Sequence, residues 1–373
     1  MHTYVGVENV QTNERFAEKP RYYLAQRVRK HFAALLTPKY KATLYKFQQT
    51  QISRTGQSAA AFTYGLFEGT GALGSSGYQP IDITSETIAT DTELRFYTVC
   101  KDYRTLHKQT ETTKEFKRFK TSDLVTKQVQ YVSASVGFDV TFPQVLAMYR
   151  ACSYDTYFHD SLSPWCTLLG PETLEVLEFH DDLKQWWVKS YGHTLNYAIA
   201  CPLMSSIVEE IEAVWKDYRS GNAHHLRARI RFGHAETLQP FISLLGLYRD
   251  EEGLFANATY DAILKRKYRA STIVPYAANV FFSLNECDGE PYVNMYVNED
   301  LTPIPGCETT PSGDCPLTAF KDTFAEIVDK CDFDALCGTR LRKNARVDIP
   351  ERLSGSDSND KRGREGSVAR NEL

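Results

Sequence analysis

Arg231-Phe232-Gly233-His234-Ala235-Glu236-Thr237 marks a switch from one periodicity to another. Before it, Leu226 to Phe232 is basic, β-prone and ends at Gly233. After it, Leu238, Phe241, Ile242 and Leu245 recur at i, i+3, i+4 and i+7, the apolar face of a helix. His234 and Glu236 are therefore expected where a strand feeds a helix. In open α/β sheets that crevice is where ligands bind. The free N–H groups of a helix start also favour an anion. A glutamic acid there can hold a proton for a leaving oxygen, and a histidine beside it can hold phosphoryl oxygens. The plainer alternative is a polar loop histidine and an acid in the first helical turn, where acids are favoured in any case.

Working outward, Arg54 stands between a predicted strand (Thr43 to Phe47) and a predicted Ala-rich helix (Thr55 to Phe67). A planar, permanently charged guanidinium suits a bidentate grip on phosphate; the alternative is a surface arginine at a helix start. Lys184 and Lys189 lie on a predicted helix with Trp186 and Trp187. They either reach an anionic ligand or form a solvated face. Arg95 either belongs to the site or braces a domain interface. Gly69 to Gly74 spells G-x-G-x-x-G, but it follows a helix instead of a strand, so the dinucleotide reading fails on context. His180-Asp181 lies mid-helix, and His224-His225 has no third ligand at regular spacing.

RFGHAETLQPFISLLG (231–246) resembles the proton-donor motif of the multiple inositol polyphosphate phosphatases, the branch of the histidine acid phosphatases with His-Ala-Glu in place of His-Asp. Five further stretches resemble the same family in the same order: YKFQQTQISRTGQSAAAFTYGLF (45–67), ELRFYTVC (93–100), CSYDTYFHDSLSPWC (152–166), DLKQWWVKSYGHTLN (182–196) and KYRASTIVPYAANVFFSL (267–284). The resemblance implies an α/β, histidine-phosphatase (phosphoglycerate mutase-like) fold with an inserted all-α cap. It implies that Arg54, in Arg-Thr-x-x-Ser, binds the scissile phosphate and that His234 contacts it. Glu236, with a raised pKa, would protonate the leaving inositol oxygen and then help water attack a phosphohistidine. Lys184 is a possible substrate contact. The substrates implied are inositol polyphosphates such as phytate, with no cofactor and no metal required.

The family's nucleophile lies in an Arg-His-Gly-x-Arg-x-Pro segment, and no Arg-His-Gly occurs here. The first strand of the α/β domain is accordingly expected to be missing. The alternatives are an enzyme represented by part of its chain, a catalytically inactive binder of anions, and a phosphatase for 2,3-bisphosphoglycerate or general monoesters.

The expected organisation is an α/β domain from 1–97 and 220–342, a helical cap from 98–219, and a disordered polar tail from 343–373. Within it the sequence predicts helices at 20–36, Lys114 to Ser135, Pro143 to Ala151, Glu172 to Lys189, Thr194 to Tyr218 and Leu317 to Lys330, strands near 271–284 and 291–298, and a loop over 68–90.

A net charge of −4 leaves any polyanion site to a local cluster of cations, and no nucleic-acid partner is expected. No apolar run is long enough to span a bilayer. Nine cysteines, several in close pairs (Cys152/Cys166, Cys307/Cys315, Cys331/Cys337), suit short disulfide loops with one thiol left over. Buried thiols are the alternative. The Asn257-Ala258-Thr259 sequon and the terminal Asn371-Glu372-Leu373, similar to a Lys-Asp-Glu-Leu retention signal, point to the secretory pathway, in the endoplasmic reticulum lumen or secreted.

Overall fold

The computed structural model describes residues 4–9, 18–37, 39–110, 114–159, 161–308, 310 and 313–338. The polar tail and the Asn371-Glu372-Leu373 terminus lie outside these residues.

The sheet contains β1 (Tyr4–Asn9), β2 (Tyr45–Thr50), β3 (Ile83–Glu86), β4 (Ala228–Gly233), β5 (Asn279–Cys287), β6 (Glu290–Val297) and β7 (Asp300–Thr302), with β8 (Cys315–Pro316) beside β6. Their order is β3-β2-β4-β1-β5-β6-β7. The first four are mutually parallel, and β5 to β7 continue antiparallel. Parallel strands covered on both faces should be apolar throughout, and five of the six residues of β4 are buried. In β4, Ala228, Ile230 and Phe232 face one core, while Arg229 and Arg231 face the other side, as the two-residue period requires.

One face is covered by α1 (Glu18–His31) and α2 (Ser53–Phe67), packed over Tyr45, Phe47, Ile230, Phe232 and Phe281. The small residues of α2 allow close approach: a Cβ on Gly65 would sit 2.6 Å from the Tyr22 carbonyl oxygen.

The crossover from β3 to β4 contains helices and loops but no strand among the described residues. It comprises α3 (Phe96–Val99), α4 (Lys101–Thr110), α5 (Lys114–Lys120), α6 (Asp123–Val136), α7 (Phe142–His159), α8 (Pro171–Lys189), α9 (Thr194–Ala198) and α10 (Cys201–Arg219). After β4 come α11 (Ala235–Leu244), α12 (Tyr260–Lys265), α13 (Ala270–Ile273), α14 (Leu317–Asp329) and α15 (Phe333–Leu336). A single core runs from Phe119, Phe179 and Leu183 in this block through Phe241 of α11 to Phe282 and Phe320. The helical block therefore shares its interior with the second face of the sheet. A smaller cluster around Val132, Val145 and Leu177 belongs to the block alone.

Several expectations need correction. The place beside β4 in the sheet is filled: a strand not foreseen, β1, lies between β4 and β5, with Asn9 opposite Gly233. The helix expected over Lys114 to Ser135 breaks at Thr121-Ser122, where Ser122 caps α6. The helix expected over Thr194 to Tyr218 divides into α9 and α10 at Ile199-Ala200, because Pro202 has no N–H to bond back to Ala198 and is tolerated only in the first turn of a new helix. The strand expected from 271 starts only at Asn279, because 270–273 form α13 and Pro275 follows. The loop expected over 68–90 contains β3.

Four disulfides are present: Cys152–Cys166 and Cys307–Cys315, as their spacing suggests, and Cys100–Cys337 and Cys201–Cys331. The local Cys331/Cys337 loop is thus overturned. Each of those residues instead reaches back to the helical block, one to the end of α3 and one to the start of α10. Cys287 is the free, exposed thiol. No described helix is long and apolar enough to cross a membrane.

Candidate active site

Parallel β2 and β4 are neighbours, so their carboxyl ends open on the same edge of the sheet. β2 ends at Thr50 and the chain turns into α2, whose second residue is Arg54. β4 ends at Gly233 and His234 becomes the N-cap of α11. The two strand-to-helix turns bring together residues 180 positions apart.

His234 is fully buried. Arg54 NH2 lies 2.9 Å from its Nδ1, and Thr50 Oγ1 lies 2.8 Å from its Nε2. A guanidinium only donates, so Nδ1 accepts, and a neutral ring carries its hydrogen on Nε2, facing Thr50. Burial, followed by the charge of Arg54, holds the imidazole well below the ordinary histidine range, which keeps it neutral. Thr50 is fixed in turn by Thr55, whose hydroxyl lies 2.9 Å from the Thr50 hydroxyl and donates to the Thr50 carbonyl.

A second guanidinium arrives from the segment before α3. Arg95 NH1 lies 3.4 Å from His234 Nε2, and Arg95 NH2 donates to Thr98 Oγ1. Since Nε2 already bears the hydrogen, Arg95 and the ring present donors to each other. Among the described residues neither Arg54 nor Arg95 is paired with a carboxylate, and the buried Nε of each lacks a partner. Two unneutralised cations converging on one buried imidazole leave a concentration of donors that an anion would satisfy.

The position of Arg95 is set by the two residues before it. Thr237 Oγ1 accepts from the His234 backbone N–H and donates to the Leu94 carbonyl at 2.7 Å. Glu93 accepts from fully buried Arg231, which also reaches Glu210 and Ser206. Thr237 thus serves both the helix start and the adjoining loop.

Glu236 opens onto a cavity of about 370 Å³ lined by Tyr97, Arg104, His107, Lys108, Lys184 and Lys189, among others. Among the described lining residues, Arg104, Lys108, Lys184 and Lys189 are cations and Glu236 is the acid. Lys189 Nζ donates to Glu236 Oε1 at 3.0 Å. Burial pushes the Glu236 carboxyl up, but the Lys189 ammonium outweighs it and holds the acid well below its ordinary range. The raised pKa expected of a proton donor is therefore not found, because Lys189 holds the carboxylate.

Arg54, Arg95, Lys184, Lys189, His234 and Glu236, all raised as candidates by the sequence, lie around this edge. Arg54 and His234 are in contact, while Glu236 and Lys184 line the adjoining cavity. Sequence reasoning missed Thr50 and the basic face of α4, and it left open whether Arg95 belongs to the site or braces a domain interface. The signal for α4 was present: Lys101, Arg104 and Lys108 recur at i, i+3 and i+7. His180, set aside as mid-helix, is buried among Phe116, Phe119 and Phe142.

A family model described as histidine phosphatase superfamily (branch 2) matches residues 5–298. The chain belongs to that superfamily. It is 30% identical over 330 residues to multiple inositol polyphosphate phosphatase 1 of Dictyostelium discoideum, covering 75% of this chain and 51% of the relative. It is 28% identical over 298 residues to the Homo sapiens protein of the same name, covering 76% and 60%. The chain thus spans between about half and two-thirds of the length of these curated relatives. The fold is similar to that of the phytase from D. castellii (TM-score 0.63, 16% identity, 90% of this chain and 81% of that one). It is also similar to that of the Bifidobacterium longum multiple inositol polyphosphate phosphatase in complex with inositol hexasulfate (TM-score 0.61, 16% identity, 81% and 77%). The expected family and α/β histidine-phosphatase fold are both borne out.

Proposed function

We propose that this chain carries the phosphate-binding and proton-donating machinery of a phosphomonoesterase for inositol polyphosphates. The observation that supports this best is the convergence of Arg54 and Arg95, with no neutralising acid among the described residues, on the neutral, buried His234. A phosphate seated there would accept from both guanidinium groups and from the helix start. Glu236 is the acid for the leaving oxygen. Arg104, Lys108, Lys184 and Lys189 surround the adjoining cavity, which fits a ligand bearing several phosphates instead of one.

Phosphoryl transfer depends mainly on positioning and on neutralising the phosphoryl oxygens, and these residues supply both. The attacking histidine implied by the family resemblance has no counterpart in residues 1–373, since no Arg-His-Gly occurs and β1 ends in Glu8-Asn9. Loss of one member of a catalytic unit can cost about a millionfold in rate. The reading is therefore that residues 1–373 bind inositol hexakisphosphate without releasing phosphate. Calorimetry paired with a phosphate-release assay tests it. Saturable binding without release supports the reading. Failure to bind overturns it, and turnover would place a nucleophile elsewhere in this chain.

We further propose residence in an oxidising compartment of the secretory pathway. The four disulfides support this, and the exposed Asn257 of the sequon is available to a glycan. Fractionation of cells that express the chain, with and without glycosidase treatment, tests both. Recovery in the cytosol with no mobility change would reject them.

A further inference from the structure

Resting on the assignment of Glu236 as proton donor, we propose that Lys189 is a substrate-displaced latch: a ligand anion that reaches Lys189 takes the ammonium from Glu236 and frees its carboxyl to accept a proton from solvent.

The geometry has three parts. First, Lys189 ends α8, and its side chain is largely buried, 13% exposed, so it is held against Glu236 and not swinging in water. Second, the pair faces the cavity instead of being sealed from it, because both residues line it and the Glu236 side chain is 39% exposed. An incoming anion can therefore compete for the ammonium. Third, the other cations of the cavity, Arg104, Lys108 and Lys184, surround the same space. An anion drawn in by them arrives beside Lys189.

The remaining groups around Glu236 are His107 on α4, Tyr97 on α3, Arg95 just ahead of it, Arg54 on α2 and His234 at the start of its own helix. Tyr97 is held neutral by burial. His234 is neutral as well. Lys189 is the side chain hydrogen-bonded to the Glu236 carboxylate, through Oε1. With the ammonium engaged, the acid is ionised and has no proton to give. With the ammonium drawn to a ligand anion, Glu236 is left partly buried beside negative charge, and both conditions favour its protonated form. The proton comes from bulk water onto the freed carboxylate and stays there until a leaving oxygen takes it.

The consequence is selectivity. A ligand with a single phosphate gripped by Arg54 and Arg95 leaves the latch closed. A ligand with a second anionic group placed to meet Lys189 opens it. The proton donor is then armed only by polyanionic substrates, without any change of backbone.

Calorimetry with inositol hexasulfate tests this without requiring turnover. Sulfate esters stay ionised across the range used, so proton uptake reports on the protein alone. Titrations at about pH 5, in buffers of different ionisation heats, give the number of protons taken up. The wild-type chain is expected to gain on the order of one proton per ligand. Glu236→Gln, close to isosteric, is expected to bind with uptake near zero. In Lys189→Met no ammonium is there to be drawn away by the ligand, so uptake is expected to shrink there too. Binding by the wild type with no uptake, or equal uptake by Glu236→Gln, overturns the latch while leaving the anion-binding function intact. Absence of any binding overturns both.

Discussion

Arg54 and His234 are joined by a 2.9 Å contact from NH2 to Nδ1, and through it the turns that follow β2 and β4 become a single unit. The imidazole is neutral because it is buried and because Arg54 stands against it. It therefore acts as a fixed dipole, with the ring hydrogen aimed at Thr50. What remains unsatisfied is positive charge.

Replacement of Arg54 by alanine removes a charged donor from the proposed phosphate seat. Charge-assisted hydrogen bonds contribute about 1.5–3 kcal/mol, so affinity for inositol hexakisphosphate should fall roughly 10- to 100-fold by calorimetry. Arg54→Lys should restore only part of it, since an ammonium cannot make the bidentate contact. An alanine variant with unchanged affinity would remove Arg54 from the site.

The buried pair Arg231–Glu93 should dominate the acid side of the stability profile. Burial pushes Glu93 up, but Arg231 and Arg229 outweigh it and hold its carboxyl below the ordinary range. A lowered folded-state pKa gives a contribution that is full above the unfolded-state value and is lost as pH falls through the folded-state value. Urea denaturation of the wild type should therefore show stability dropping as pH falls below the ordinary glutamate range, and Glu93→Gln should flatten that limb. At neutral pH, Glu93→Gln should cost about 3–5 kcal/mol, because Arg231 is left buried with one acid removed. A parallel fall in both proteins would reject this role.

Gly65 marks the closest approach of α1 and α2. A Cβ there would fall 2.6 Å from the Tyr22 carbonyl oxygen and 3.1 Å from the Ala25 Cβ. The helices must separate to admit it, at about 1–3 kcal/mol for overpacking. Gly65→Ala should lower the denaturation midpoint even though alanine is the better helix former. A raised midpoint would show that this helix pair can yield.

Cys201–Cys331 and Cys100–Cys337 close spans of 130 and 237 residues and tie the helical block to the α14–α15 region. Replacing Cys201 and Cys331 together by alanine should cost about 2–5 kcal/mol. Titration of the native protein with a thiol reagent should find Cys287 reactive. Two or more rapidly reacting thiols per chain would contradict this pairing.

The parts of this account legible in the sequence share one property: their determinants are local. The strand, Gly233, His234 and the apolar helix face follow one another directly, as do the strand and helix around Arg54. That these two turns meet is a matter of strand order, which periodicity does not encode; the family resemblance supplied it. The Cys331/Cys337 expectation failed for the same reason. Sequence proximity suggested a loop, whereas packing of α14 and α15 against the helical block sends each sulfur elsewhere. The low pKa of Glu236 was out of reach because it depends on Lys189, 47 residues away on another helix. β1 was missed because six residues bounded by polar sequence give too short a pattern to separate from a loop.

A crystal structure of this chain with inositol hexasulfate bears most directly on the central claim. The account predicts one sulfate held by Arg54 and Arg95 beside His234, with further sulfates toward Lys184 and Lys189. A ligand seated away from Arg54 and His234, or a cleft left empty at saturating ligand, would contradict it.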